Sequence, residues 1–368
     1  MVANKVALTG ANGFVGFHVR AALKEKGVEA AMIPLGDAHD LSRSMAALDG
    51  IDRVVHLAGV NRGSELEVAE GNVLFARQLA EAIRHCRVPP RTVVMANSTQ
   101  STNKSVYGLA KARSAEILRV AAESVGAEFQ NVNLPNLFGE HGRPFYNAVT
   151  ATFCHLLSQG EQPTVQNDTE LTLLHAQDAA DQLLGHRPVS AFNRLTIDLT
   201  VSDLLRRLQK ISRSYAQGEI PDVTTDFSRN LFNTYRSYTF PKGAPVNLVK
   251  HADERGSFFE ILRSRGGTSQ SSFSTTAPGI SRGDHFHRRK IERFTVLSGT
   301  ATIALRRIFS DEIVEFKVAG DEPVAIDMPT MWAHKITNTG PDVLYTSFWS
   351  NDIFDPTAPD TIPEAVEV

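Results

Sequence analysis

Hydrophobic and polar residues alternate along this chain with two different rhythms. The first half, from Lys5, couples short apolar runs to longer amphipathic stretches: VALTG then FHVRAALKEKG, EAAMIPL, DRVVHLAGV then NVLFARQLAEAIRHC, and RTVVMANST then AKARSAEILRVAAESVG. Apolar runs of strand length followed by segments of period near 3.6 predict parallel strands covered on both faces by helices, a doubly wound α/β sheet. Gly27 stands where the first helix should stop. The second half changes to period two, in SFFEILRS, TSQSSFSTT, RFTVLSG, TATIALRRI, EIVEFKV, EPVAIDM, HKITNT and DVLYTSFWS, parted by Gly, Pro or Asp turns. Many short strands at even spacing predict a β-barrel or sandwich. Between the halves, Phe227 to Val246 is aromatic and helix-poor, with Tyr235, Tyr238, Phe240, Pro241 and Pro245, and reads as a linker. Two domains follow, residues 1–240 and 241–368.

Length agrees, since 368 residues exceed what a single hydrophobic core usually serves. A net charge of −3 gives no reason to expect nucleic acid or an anionic membrane as partner. The two cysteines, Cys86 and Cys154, make no disulfide framework and match no metal spacing, which fits a reducing compartment. No signal-peptide apolar region and no run of about 18 apolar residues occurs, so the expectation is a cytoplasmic protein.

Candidate chemistry in the first half begins at Gly10-Ala-Asn-Gly13-Phe-Val-Gly16, set between the first strand and the first helix. Glycines there let the backbone turn tightly and approach a pyrophosphate, which the free N–H groups of the helix can bind. The second strand ends in Pro34, Leu35 and Gly36 with no carboxylate until Asp37, so nothing stands ready for the 2′-OH of NAD and the reading leans to NADP. Asp40 and Leu41 are placed to touch the adenine. Only 40 residues separate Gly16 from His56, which predicts one shortened βα unit. His56-Leu57-Ala58-Gly59-Val-Asn61 is a small-residue turn that lets a cofactor pass close.

Ser98 and Thr99 end a strand at its carboxyl edge, where open α/β sheets bind ligands. Tyr107 and Lys111 follow, four apart on one helical face. The ammonium is expected to lower the phenol's pKa and to hold the nicotinamide ribose. The phenol then protonates a carbonyl oxygen as hydride arrives, and Ser98 hydrogen-bonds the same oxygen. An isolated Y-x-x-x-K is a helical coincidence. This one follows a strand-end serine and a glycine turn.

TGANGFVG, HLAG, Ser98, YGLAK and NLPNLFG resemble the short-chain dehydrogenase/reductase superfamily in its extended, nucleotide-sugar-modifying form. The resemblance implies a Rossmann fold. It also implies cofactor contacts at Gly10, Asn12, Gly13, Phe14, Val15, Gly16, Asp40, Leu41, Leu57, Ala58, Gly59, Asn72, Lys111, Leu134, Asn136 and Leu137, and substrate contacts at Asn61, Thr99 and Asn136. Arg143 and Asn147 suit the pyrophosphate and uracil of a nucleotide sugar, or equally a surface ion pair and a helix N-cap. Glu170, Thr172 and His175 read as part of a strand returning to the substrate lobe.

In the second half, His285 and His287 are two apart and would leave the same face of a strand. Glu292 follows across a turn, and His334 lies after Pro329. Three imidazoles and a carboxylate suit Zn²⁺, or Fe, Mn, Co or Ni with water completing the shell. The order Gly279, His285-x-His287, Glu292, Gly299, then Pro329, His334, Asn338 resembles both motifs of the cupin family, a small β-barrel that holds a metal between those side chains. Met331 stands where that family usually has glycine.

Both halves in this order resemble the CapF-type enzymes of capsular polysaccharide biosynthesis, through HLAGVNR, the YG-x-x-K helix, PNLFG, GI-x-x-G-x-H-x-H-x-x-K-x-E-x-F and the tail W-x-N-x-x-FDP-x-x-PDT. The resemblance implies a homodimer acting on UDP-2-acetamido-2,6-dideoxy-hexos-4-ulose. The barrel would invert C3 and the NADPH-dependent domain reduce the C4 ketone, giving UDP-N-acetyl-6-deoxy-L-talosamine on the way to N-acetyl-L-fucosamine. One ketone serves both steps, because it acidifies the C3 proton and accepts the hydride. For the C3 base, Lys290 and Asp284 are the candidates, with Lys290 also a substrate contact. The all-protein metal shell fits a structural ion, and the resemblance favours zinc. The alternatives are a single-activity reductase or epimerase with a structural or dimerising barrel, and a nucleotide-binding regulator, though the latter would not need Tyr107 and Lys111.

Overall fold

The computed structural model describes residues 5–187 and 192–367, which divide into two compact units. The first takes in residues up to Phe138, Gly142–Val149 and Thr169–Thr200. Its centre is a five-stranded sheet in the order β2-β1-β3-β4-β5, formed by β1 (Val6–Thr9), β2 (Ala30–Ile33), β3 (Arg53–His56), β4 (Thr92–Ser98) and β5 (Glu128–Leu134). Every pairing is parallel. Strand alternation splits the apolar residues between two cores: Ala7, Val54 and Val93 face Leu79, Ile83 and Leu118, whereas Leu8, Val55 and Val94 face Val19, Leu23 and Leu183. Helices α1 (Phe14–Glu25), α2 (Leu41–Leu48), α3 (Glu65–His85) and α4 (Val106–Ser124) cover the faces. The doubly wound reading therefore holds, and the eight-residue α2 is the shortened connection. A three-stranded sheet adds β6 (Asn136–Phe138), β7 (Glu170–His175) and β8 (Ile197–Thr200), with α6 (Ala176–Leu183) and α7 (Phe192–Leu195) following in chain order after α5 (Val149–Ser158).

The second unit holds two five-stranded sheets face to face, a cupin-type β-barrel. One is ordered β12-β19-β14-β17-β9 and the other β16-β15-β18-β13-β20. Their strands are β9 (Val246–Asn247), β12 (Gln270–Thr276), β13 (Ser281–Phe286), β14 (Glu292–Ser298), β15 (Thr300–Arg307), β16 (Ile313–Ala319), β17 (Val324–Met328), β18 (Trp332–Asn338), β19 (Leu344–Ser350) and β20 (Ile362–Pro363), while β10 (Lys250–Asp253) and β11 (Gly256–Phe259) pair with each other in a separate hairpin. Phe294, Val296, Ile303, Leu305, Ile326 and Ile336 fill the space between the sheets. Helices α8 (Val201–Ala216) and α9 (Asp226–Thr239) belong to this unit.

Two expectations about this half change. The stretch from Phe227 is not a linker: α9 starts on Thr225, whose hydroxyl accepts from the Ser228 N–H, and runs to Thr239. It escapes a hydrophobicity reading because its buried face is largely polar, with Asn233 donating to the Arg289 carbonyl (2.9 Å) and Arg236 to the Met328 carbonyl (3.1 Å). Likewise SFFEILRS is a strand only to Phe259. Farther on, the backbone of Arg263 and Arg265 is engaged by Ile220, which donates to the one (2.9 Å) and accepts from the other (3.0 Å). Among the described residues, no helix is long and apolar enough to cross a membrane.

Candidate active sites

In the first unit the β1–α1 turn and the loop after β3 meet with no room for side chains. Gly10 has φ +65°, and a Cβ on it would lie 2.6 Å from the Ala58 nitrogen; one on Gly16 would lie 2.4 Å from the Gly10 oxygen. Thr9 ties the two together, its hydroxyl accepting from the N–H groups of Leu57 and Ala58, each at 3.2 Å. Asn12 and Gly13 are exposed and Phe14 and Val15 half-buried at the start of α1, whose N-cap Gly13 supplies no side-chain cap. The open N–H groups and the glycine cradle fit the pyrophosphate of a dinucleotide. Gly59 borders the same loop, and Asn72 braces it, donating to the carbonyls of Val60 and Val68 at 2.7 Å each. The amide of Asn72 is thus spent on the backbone. Asp40 similarly serves as N-cap of α2, accepting from Arg43 N (2.9 Å), and Leu41 packs against the core.

Ser98 ends β4 in register with Leu134 of β5, and its hydroxyl accepts from Gln100 N (3.2 Å). Tyr107, in the first turn of α4, hydrogen-bonds Ser98. One turn on, Lys111 is buried and donates to the Ala96 carbonyl (2.7 Å). Burial pushes the lysine down to about 8. Burial also raises the Tyr107 phenol, with Ser98 pulling partly back. The expected lowering of the phenol by Lys111 is therefore corrected: desolvation wins, and the phenol is held as a proton donor. Buried His56 is driven to about 3 by burial and by the Lys111 ammonium, and stays neutral.

Exposed Thr99 begins the turn after β4. Asn136 is exposed on β6 beside half-buried Leu137. Asn147 donates to the Asn61 carbonyl (2.7 Å) and Arg62 to the Phe145 carbonyl, so the 61–62 and 143–147 loops are stitched together. Phe145 and Asn147 sit at φ 59° and 53°, left-handed for non-glycine residues. Exposed Arg143 stacks on Tyr146, 4.8 Å from the ring centroid. Thr172 donates to Asp198 (2.6 Å), while His175 is buried against Phe138.

In the barrel, His285 of β13 faces His334 of β18 in register. His285 and His287 turn to the same side as expected, with ring centroids 5.0 Å apart, although His287 lies just beyond the end of the strand. A bulge falls between Gly283 and His285, Asp284 turns left-handed at φ 56°, and β13 ends at Phe286, so His287 lies in the following turn. The rings converge even so, with centroids 4.6–5.2 Å apart. One donor atom from each of His285, His287, Glu292 and His334 lies within 4.8 Å of the others. Glu292 Oε2 is 3.0 Å from His287 Nε2 and 3.5 Å from His334 Nε2.

The ring orientations follow from backbone acceptors. His287 Nδ1 is 2.6 Å from the Asp360 carbonyl and His334 Nδ1 3.2 Å from that of Trp332. A carbonyl only accepts, so each Nδ1 carries the hydrogen and each Nε2 turns a lone pair inward. Both Nε2 atoms are buried and face the Glu292 carboxylate. Burial lowers His334, and burial with the neighbouring histidines takes His285 to about 4. For Glu292 burial works the other way, yet His287 and His334 hold it well below the usual carboxylate range. Three imidazole nitrogens and a carboxylate oxygen converging on one point fit one divalent cation. Met331 adopts φ 66° and donates to the His287 carbonyl (2.8 Å), so the turn that glycine usually makes is kept.

Lys290 reaches Glu292 Oε1 (3.0 Å) and lines a pocket with Glu292, Ser272, Trp349, Asp352 and Phe354. Asp284 instead receives the backbone N–H groups of Glu364 and Val366, each at 2.9 Å. Asp360 is a residue that motif spacing left without a role.

Residues 251–362 match the family described as polysaccharide biosynthesis C-terminal domain, and residues 6–185 the NAD dependent epimerase/dehydratase family. Along 367 residues, covering 97% of both chains, the sequence is 31% identical to UDP-2-acetamido-2,6-beta-L-arabino-hexul-4-ose reductase of Pseudomonas aeruginosa. The structure is similar to capsular polysaccharide assembling protein CapF from Staphylococcus aureus, with TM-score 0.61 and 30% identity over 99% of this chain and 100% of that one. A shorter match, 25% identical over 122 residues and covering 31% of this chain and 81% of its relative, is the spore coat polysaccharide biosynthesis protein SpsL of Bacillus subtilis.

Proposed function

The chain belongs to the family of the Pseudomonas aeruginosa UDP-2-acetamido-2,6-beta-L-arabino-hexul-4-ose reductase, and on that premise we propose that it is a bifunctional nucleotide-sugar enzyme of surface-polysaccharide synthesis. The barrel epimerises C3 of a UDP-2-acetamido-2,6-dideoxy-hexos-4-ulose, and the first unit then reduces the C4 ketone to UDP-N-acetyl-6-deoxy-L-talosamine. The observation that carries this reading is the match along nearly the whole of both chains, which spans both candidate sites.

When bound, NADPH supplies the hydride. Tyr107, kept protonated by burial, gives its proton to the C4 oxygen, so the ketone leaves as an alcohol. Ser98 holds that phenol and hydrogen-bonds the same oxygen. Lys111, moderated to about 8, stands one turn away to hold the ribose and stabilise the phenolate that remains. The stitched 61–62 and 143–147 loops, with Arg143 and Asn147, form the nucleotide-sugar side of the site. Preference for NADPH rests on the absence of a carboxylate at the end of β2.

A divalent ion, zinc by the donor set, would be held by His285, His287, Glu292 and His334 and would rigidify the barrel mouth and favour negative charge there. Lys290, lining the adjoining pocket, would contact the sugar as a candidate base, taking the C3 proton from one face of the sugar while water returns a proton to the other face of the enediolate. A homodimer and a cytoplasmic location belong to the same reading; free, buried Cys86 and Cys154 suit a reducing compartment.

The test is incubation with UDP-4-keto sugars in D₂O with and without NADPH. C3 deuteration without NADPH, and conversion of the ketone to an alcohol with it, are expected. Reduction without exchange would reduce the protein to a single-activity reductase with a structural barrel, and neither reaction would refute the proposal.

A further inference from the structure

The turn that carries His287 and Lys290 has no strand or helix of its own to hold it. Asn233 and Met331 donate to the carbonyls of Arg289 and His287, while the bonds that gather the N–H groups of residues 288–290 and the His287 ring come from Asp360, 70–73 residues downstream. Asp360 accepts with one carboxylate oxygen from Arg288 N (3.1 Å) and with the other from Arg289 N and Lys290 N (2.8 Å each). Its own carbonyl accepts from His287 Nδ1 at 2.6 Å. The Asp360 side chain is 8% exposed, and the residue takes φ 44°, a left-handed conformation that turns carbonyl and carboxylate toward the same four residues. Two residues on, β20 pairs with β13, placing Pro363 opposite His285 and Ile362 opposite Phe286. Farther along, Arg306 clamps the tail, donating to Glu364 (2.8 Å) and to the Val366 carbonyl (2.8 Å).

We infer that Asp360 is the positioning residue of the barrel site: its carboxylate gathers the 288–290 turn, its carbonyl aims His287, and the C-terminal strand thereby sets both the metal centre and the ammonium of Lys290. The inference rests on the metal-centre reading above. Metal-bound imidazoles depend on the acceptor of their second N–H for orientation, and loss of such partners costs 10–100-fold in metal affinity. Here that acceptor is held in place by the same residue's side chain. A turn cap of purely structural value would stabilise the barrel equally with or without metal. A positioning residue shows itself in the metal's own behaviour.

The test uses the full chain loaded with Co²⁺, whose visible absorption reports ligand geometry. Asp360→Gly keeps the left-handed backbone and the carbonyl and removes only the carboxylate; Asp360→Asn keeps one of the two acceptor oxygens. For Asp360→Gly, Co²⁺ affinity measured against a chromophoric chelator should fall about 10–100-fold with an altered spectrum, while the metal-free protein still melts cooperatively. Asp360→Asn should lie between it and the parent. Unchanged affinity and spectrum in Asp360→Gly, with a parent protein that binds Co²⁺, overturns the positioning role alone. A parent protein that takes up neither Co²⁺ nor Zn²⁺ overturns the metal centre itself, and the inference with it. Should Asp360→Gly fail to fold, the Asp360→Asn spectrum decides on the same terms.

Discussion

Replacing Asp327 by asparagine should destabilise the barrel more than any change at its surface. Asp327 of β17 and Arg293 of β14 face each other in register, joined at 2.6 and 2.9 Å by two parallel bonds, with side chains 3% and 2% exposed. Arg293 also donates to the Gly218 carbonyl (2.8 Å), and a second buried guanidinium, Arg236, stands nearby. Burial alone would raise the Asp327 pKa, but Arg293 more than offsets it and the carboxyl sits below its ordinary value. The substitution Asp327→Asn conserves volume and leaves Arg293 buried without its counter-charge. Breaking a buried pair from one side costs about 3–5 kcal/mol, and at about 2–4 °C per kcal/mol the melting temperature should fall by roughly 10 °C. The assay is thermal unfolding of the metal-loaded chain followed by calorimetry and near-ultraviolet dichroism. Because the folded pKa is depressed, the unfolded chain binds the proton first. The pair's contribution is therefore fully present above the ordinary carboxylate value of 3.8 and is lost as pH falls through the lower folded one. The gap between parent and Asp327→Asn should thus be constant at about pH 5–8 and close only in strong acid. Replacing both partners, Arg293→Met with Asp327→Leu, should recover most of the loss. A melting temperature within about 2 °C of the parent, less than a single kcal/mol would give, or a double variant as unstable as the single, would refute the reasoning.

Tyr107→Phe should lower NADPH oxidation by about 10²–10⁴-fold while C3 deuterium exchange continues, followed by absorbance and by NMR; parallel loss of both would count against two separate sites. NADPH should exceed NADH in kcat/KM by at least about tenfold, worth about 1.4 kcal/mol, and equal values would remove the argument from the end of β2. His287→Ala should lower metal content and the melting temperature of the barrel, because binding energy at a structural ion is folding energy. The reductase unit should keep its NADPH affinity, and a fully loaded His287→Ala protein with unchanged melting would make His287 a core histidine.

Chemistry that depends on neighbours in the chain can be read directly from the sequence. The glycine turn lies within the β1–turn–α1 step, and Ser98, Tyr107 and Lys111 within the β4–turn–α4 step, where covalent geometry leaves few choices. The four candidate metal donors can also be named, because their order and spacing are read from the chain itself. What needs the folded chain are relations that local periodicity does not carry. Whether Lys111 or burial governs the Tyr107 phenol depends on how much of the unit covers α4, and burial prevails. Helix α9 is invisible to a hydrophobicity pattern because its buried face is largely polar: Asn233 and Arg236 donate to the carbonyls of Arg289 and Met328, partners 56 and 92 positions away. Such a pattern registers burial only where it is apolar. Strand β13 ends at Phe286, one residue before His287, and the left-handed Asp360 meets His287 from 73 residues downstream. Contacts of this kind exist only once the sheets close, since the backbone groups they use are free until distant strands bring their partners to them.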